Sequence, residues 1–152
     1  MLPKVDKDHD DYFEFHTNII KGYVTLKKHQ EALDEAEELI TVSGDVCGFG
    51  WKAKVLGKMQ RYEEAIKIHV AMTQREDADP DFANEKIAKL YVKQEKWDKA
   101  IEYCETLLKT DPENITALLT KAGVLEEQKK FEEAIKMYED LNSGRYDDKV
   151  NV

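Results

Sequence analysis

Four histidines and two cysteines are the side chains best suited to hold a metal or act as nucleophiles, and their spacing favours neither role. His9, His16, His29 and His69 include no pair four residues apart and no His-Glu-x-x-His pattern, so no metal site is expected. His9 lies beside Asp8, Asp10 and Asp11, which reads as a solvated acidic stretch able to gather a cation only adventitiously. Cys47 and Cys104 are too far apart in sequence for a zinc pair and too few for a disulfide framework. Cys47, near a helix start, is the better reactive thiol, yet no base is evident beside it. Gly48-Phe49-Gly50 lacks the spacing of a phosphate loop and follows no strand. The many carboxylate pairs read as solvated faces. These residues point away from an enzyme, and no cofactor is expected.

The elements that would position any site are helices. Charged residues make up 36 % of the 152-residue chain, well above the usual quarter, and only 3 Pro and 7 Gly are present to break helices. Hydrophobic residues at 41 % are enough to build a core, which argues against wholesale disorder. The net charge of -9 repels polyanions, so neither nucleic acid nor an anionic membrane is an expected partner. No apolar run is long enough to cross a bilayer, and the first residues, MLPKVDKDHDD, lack the apolar centre of a signal peptide. Reduced cysteines and this composition lead to the expectation of a soluble, cytoplasmic protein.

A repeat is the strongest pattern in the chain. The segment YEEAI at 62–66 returns as WDKAI at 97–101 and FEEAI at 131–135, with a weaker relative, HQEAL, at 29–33. Their alanines, Ala32, Ala65, Ala100 and Ala134, are separated by steps of 33, 35 and 34 residues. Within each block the apolar residues recur at three- and four-residue steps, as in Ile87, Leu90 and Tyr91, or Ile101, Cys104, Leu107 and Leu108. Each block therefore reads as two helices. The first (helix A) is expected over 13–27, 47–59, 81–95 and 115–129, and the second (helix B) over 29–42, 62–75, 97–110 and 131–142. Ser43-Gly44-Asp45, Asp79-Pro80-Asp81 and Asp111-Pro112-Glu113 supply turns and caps between blocks, and Asn142-Ser143-Gly144 is expected to close the last helix. The small alanines allow close helix approach, while Tyr62, Trp97 and Phe131 fill the space at the turn.

The period and the aromatic-x-x-Ala motif resemble the tetratricopeptide repeat family. The resemblance covers about residues 13 to 146. The family's first-helix tyrosine is matched at Tyr23 and Tyr91 and replaced by Leu56 and Leu125. Its glycine is replaced by Ala53, Ala88 and Ala122, and by Ile20 in the first block, which reads as an atypical cap or a full repeat. Its proline is matched at Pro112. Cys104 falls where the family places a buried residue and reads as core. The implied fold is all-α, a right-handed α-solenoid of about four helix-turn-helix repeats. The domain plan is a polar extension over 1–12, repeats over 13–45, 46–80, 81–114 and 115–146, and a tail over 147–152.

The resemblance implies a concave inner wall made by helix A, with helix B outward. Helix A positions 2, 5, 6, 9, 12 and 13 place six lysines and two glutamates on the wall of the first three blocks. Lys21, Lys54 and Lys89 share one repeat position, with Lys58, Lys86 and Lys93 nearby and Trp51 and Phe82 among them. Glutamates of helix B, such as Glu35, Glu64 and Glu105, would carry the negative charge outside. These eight residues are the expected peptide-binding groove, and the expected partner is a protein or peptide with acidic residues, extended or helical. Lysine is also a common residue of solvated helix faces, so the ladder equally suits solubility, and Trp51 is equally able to pack against the first helix B. Chaperone-tail binders of this family use Lys and Asn on the first helix A, Asn on the second, and Lys and Arg on the third. The first three blocks hold Thr17, Lys21, Trp51, Phe82 and Lys86 there, and the last three Gly50, Lys54, Lys86, Thr116 and Leu119, so such a tail is disfavoured. The alternative function is a self-assembling structural module, as a homo-oligomer, or a fragment of a larger repeat protein, because the side of the last helix near Ile135 and Tyr138 has no evident cap.

Overall fold

The computed structural model describes residues 10–44 and 46–147. The expected tail, residue 45 of the first turn, and His9 with Asp8 lie wholly or mostly outside the described residues. Eight helices form, α1 (Asp10–Thr25), α2 (His29–Ser43), α3 (Val46–Lys58), α4 (Tyr62–Met72), α5 (Pro80–Lys93), α6 (Trp97–Thr110), α7 (Ile115–Glu127) and α8 (Phe131–Asp147). No strand occurs among the described residues, and the all-helical expectation is borne out.

The contacts divide the chain into two compact units, Met1–Asp79 and Pro80–Val152. In the first, α2 packs on both α1 and α3, α3 packs on α4, and α1 touches α3. In the second, α6 packs on both α5 and α7, α7 packs on α8, and α5 touches α7. The motif alanines explain the tightness of this packing. Ala32, Ala65, Ala100 and Ala134 are each at most 1 % exposed. The small helix-A residues Ala53, Ala88 and Ala122 are buried too, so neighbouring helices approach without a side chain between them. Tyr62 and Trp97 are half-buried at their turns, whereas Phe131 keeps 57 % of its surface exposed and fills no such space.

One turn geometry recurs in every repeat. Lys27, Gln60, Glu95 and Lys129 have φ near +60°, in the left-handed region. The next residue in each case, Lys28, Arg61, Lys96 and Lys130, donates its backbone N–H to the carbonyl of Tyr23, Leu56, Tyr91 or Leu125, at 2.8–3.0 Å. The left-handed residue itself donates its N–H to the carbonyl three residues back, at 2.8–3.3 Å, and the two hydrogen bonds satisfy carbonyls that the helix end would otherwise leave open. This turn reverses the chain from helix A to helix B identically four times. The left-handed conformation costs about 1 kcal/mol for a residue with a Cβ, and each of the four turns bears that cost.

Three helix limits differ from the expectation by three residues or more, the others by at most two. Helix α1 begins at Asp10, ahead of Phe13. Helix α4 stops at Met72, where Thr73 Oγ1 turns back to donate to the Val70 carbonyl and the last N–H groups shift to three-residue spacing. Helix α8 runs through Asn142-Ser143-Gly144 to Asp147. A lone glycine costs only about 1 kcal/mol within a helix, and no proline follows to enforce a stop. Between repeats the expected punctuation holds: Gly44 caps α2 at φ +62, Pro80 opens α5, and Asn114 Oδ1 accepts from the Ala117 N–H at 2.9 Å to cap α7.

Candidate peptide-binding face

In the first unit, helices α1 and α3 bring together three of the expected groove residues. Trp51 of α3 is half-buried. Its indole has the Lys54 Nζ 4.4 Å from the ring centroid and the Lys21 Nζ, from α1, at 5.9 Å. Lys54 lies one helical turn beyond Trp51 on α3, while Lys21 reaches from the helix that touches α3. A cation over a partly exposed aromatic ring is worth about 0.5–1 kcal/mol. Lys21 also donates to Asn18 Oδ1 at 3.3 Å. The result is an apolar plate carrying two positive charges, both on exposed residues. A carboxylate placed there meets two cations while an apolar neighbour covers the indole. Lys58 is exposed one turn further along α3.

In the second unit all the expected residues lie on α5. Phe82 is 46 % exposed and carries the Lys86 Nζ 4.5 Å from its ring centroid. Lys89 lies 4.0 Å from Glu85 Oε2, one turn back on the same helix, so part of its field is neutralised locally. Lys93 is exposed. Thus Lys21 and Lys89 share a repeat position but differ in surroundings, Lys21 beside the indole of Trp51 and Lys89 beside the carboxylate of Glu85. Glu85 was legible as a wall residue, but not as the partner of Lys89; its four-residue spacing to that lysine was the available signal.

Two assignments of the inner and outer faces need correction. Thr17, at wall position 5 of the first block, is only 6 % exposed, and its Oγ1 turns back to donate to the Glu14 carbonyl at 2.9 Å. Glu35, assigned to the outside, faces α1 and shares a hydrogen bond with His16 Nδ1 at 2.5 Å. His16 is buried against Tyr12, their ring centroids 4.2 Å apart and their planes tilted by 47°. This pair ties α1 to α2. Most other helix-B glutamates are exposed, and Glu37 and Glu105 pair with Lys52 and Lys121 of the following helices at 2.8 and 2.9 Å.

The cysteines differ as their positions suggest. Cys104 is fully buried in a cluster with Ala88, Leu107 and Ala117, and burial pushes its thiol up to about 11, so it is protonated and inert at neutral pH. Cys47 is exposed. No group of three or more metal-ligating side chains occurs among the described residues, and no helix among them is long and apolar enough to cross a membrane.

Paired helices repeating every thirty-odd residues, with a cation-bearing helix-A face, define a repeat-type interaction module. The tetratricopeptide repeat family model matches residues 91–150, and the resemblance drawn from the sequence is borne out. Among curated proteins the chain is similar to DnaJ homolog subfamily C member 3 of Bos taurus, 27 % identical over 139 residues. That match covers 90 % of this chain but 23 % of the relative, so the chain spans about a quarter of that protein's length. Among solved structures, MamA 41-end from Desulfovibrio magneticus RS-1 superimposes with a TM-score of 0.66 at 17 % identity, covering 91 % of this chain and 77 % of that one. YrrB, described as a TPR protein with an unusual peptide-binding site, gives a TM-score of 0.58 at 13 % identity, covering 87 % of this chain and 70 % of that one. The fold is that of the tetratricopeptide repeat.

Proposed function

We propose that this protein is an adaptor that binds an acidic peptide segment, extended or helical, along the helix-A face of its repeats. The observation that carries the reading is the Lys21–Trp51–Lys54 cluster, in which two helices supply two cations to one half-buried indole. Such a site favours a ligand with a carboxylate next to an apolar side chain. Lys58 extends the positive face on α3, and Phe82, Lys86, Lys89 and Lys93 offer a second cation–aromatic face on α5. A repeat module that holds a protein partner is consistent with the fold, and YrrB, a protein of similar fold, has a peptide-binding site of its own. The absence of nucleic-acid and membrane binding belongs to this reading through the net charge of -9, and a cytoplasmic location through its two reduced cysteines.

The test uses fluorescein-labelled peptides that alternate Glu with one aromatic or leucine anchor, beside charge-inverted controls in which Lys replaces Glu. Fluorescence anisotropy should report binding of the acidic set alone, weakening as salt is added. Replacing Lys54, Lys58, Lys89 and Lys93 by Glu should abolish it, together with recovery of partners from lysate. Equal binding of both peptide sets, or unchanged binding by the fourfold variant, would overturn the reading.

A further inference from the structure

The last repeat presents an apolar cleft of about 720 Å³ between α7 and α8, lined by Ile115, Leu118, Leu119, Met137, Tyr138 and Leu141 among others. Ile115 and Leu119 each keep 46 % of their surface exposed. The repeat register explains why this place is receptive. A step of 34 residues puts Tyr138 and Leu141 where Cys104 and Leu107 stand one repeat earlier. There the two residues are at most 1 % exposed, covered in a cluster that includes Ala117 of the next helix A. The same row on α8 is thus a seat for a helix A.

A matching knob stands on α1. At the third position of helix A, three of the four repeats carry a very small buried residue, Gly48, Ala83 or Ala117. A Cβ on Gly48 would lie 2.8 Å from Ile40 Cγ1 of α2, and Ala117 packs with Cys104 and Leu107 of α6. The first helix A carries Phe15 at that position, 54 % exposed. A phenylalanine there has no place in a seam as close as that of α2 and α3, but a cleft of this size accepts an aromatic ring.

We infer that the protein self-associates head to tail, with helix α1 of one copy seated on α7 and α8 of the next and Phe15 filling the cleft beside Leu119 and Tyr138. The occupant is a second copy because knob and seat occupy corresponding register positions of one repeat packing pattern, continued past the end of the described array. The two surfaces differ, so the contact is heterologous and leaves a free face at each end of every assembly. Glu113 and Asp140 also line the cleft, and Glu14 adjoins Phe15, so like charges oppose docking and added salt strengthens it. The groove reading requires the opposite salt dependence, which keeps the failure of one distinguishable from the failure of the other.

Multi-angle light scattering over a rising concentration series is the test. The mean mass should climb past that of a dimer, and climb further in high salt. Phe15→Asp and Leu119→Asp should each leave a monomer with unchanged helical circular dichroism, since both residues are about half exposed. Mixing the two variants should restore one contact and no more, because Phe15 of the Leu119→Asp chain meets the intact cleft of the Phe15→Asp chain. The mixture should therefore stop at a dimer. A wild-type mass that stays monomeric at every concentration, one that levels off at a dimer, or a mixture that remains monomeric while the wild type assembles, would each overturn the inference.

Discussion

Trp51 in the first unit and Phe82 in the second each carry a lysine over the ring, but the two sites are built differently. The Trp51 site draws its cations from two helices, Lys21 from α1 and Lys54 from α3, so its Lys21 contact exists only because α1 and α3 touch. The Phe82 site is contained in α5, where Lys86 stacks on the ring and Lys89 pairs with Glu85 one turn away. A contact between two helices is held in place by tertiary packing as well as by its own helix, while the α5 pairs are held by one helix alone. Pre-organised groups lose less entropy when a ligand binds, so the first site should contribute more affinity than the second despite similar residue types.

The largest effect expected is on binding. Trp51→Ala removes the plate shared by two lysines, and loss of a half-buried aromatic anchor costs at least about 2 kcal/mol at an interface hot spot, roughly thirtyfold in Kd. Phe82→Ala, from an exposed ring on one helix, should cost about 1 kcal/mol or less, up to fivefold. Titrating both variants with the acidic anchor peptides checks the ranking. Equal losses would show that packing between α1 and α3 gives Trp51 no advantage, and the comparison would fail.

Next in size is a stability effect at the seams inside each unit, α2 with α3 in the first and α6 with α7 in the second. Gly48 of α3 lies against Ile40 of α2, where an added Cβ would meet Ile40 Cγ1 at 2.8 Å, its backbone nitrogen at 3.2 Å and its Cα at 3.3 Å. In the seam of α6 and α7 the same register position is Ala117, and its methyl is accommodated beside Cys104 and Leu107. Gly48→Ala gains about 1 kcal/mol of helix propensity, yet overpacking against backbone costs about 1–3 kcal/mol. A net loss near 1 kcal/mol is expected in urea unfolding. Ala117→Gly should also destabilise, through lost propensity and a lost buried methyl. A more stable Gly48→Ala variant would mean that the α2–α3 seam is no tighter than that of α6 and α7.

These seams show how far the sequence could be read. The alanines at steps of 33, 35 and 34 residues located every helix pair, because a small residue at fixed spacing is the packing contact itself. The reversals between helix A and helix B were not legible as left-handed turns. Lys27, Gln60, Glu95 and Lys129 adopt φ near +60° although none is Gly or Asn, the residues that normally mark that conformation. Packing of the flanking helices forces it. Side-chain partners were equally hidden. Glu35 read as an outer charge because its spacing fits the solvated face, and only the approach of α1 gives it His16. Trp51 was legible as a candidate but not as the ring beneath Lys21, since that contact joins residues thirty apart through the touch of α1 and α3.

The smallest effect sharpens the contrast between Lys21 and Lys89. Glu85 shields Lys89 at 4.0 Å, with side-chain exposures of 22 % and 48 %. Such a partly exposed pair is worth about 0.2–1 kcal/mol. Glu85→Gln keeps the shape of the side chain and removes its charge, so the Lys89 ammonium acts on an incoming carboxylate without a competing anion. The acidic peptides should then bind tighter by up to about fivefold, with a steeper loss on adding salt. In a Lys89→Gln background the same substitution should give a smaller gain, because the cation it unmasks is absent. An affinity that falls on Glu85→Gln would assign Glu85 to direct contact with the ligand, and the second face would then select for something other than an acidic segment.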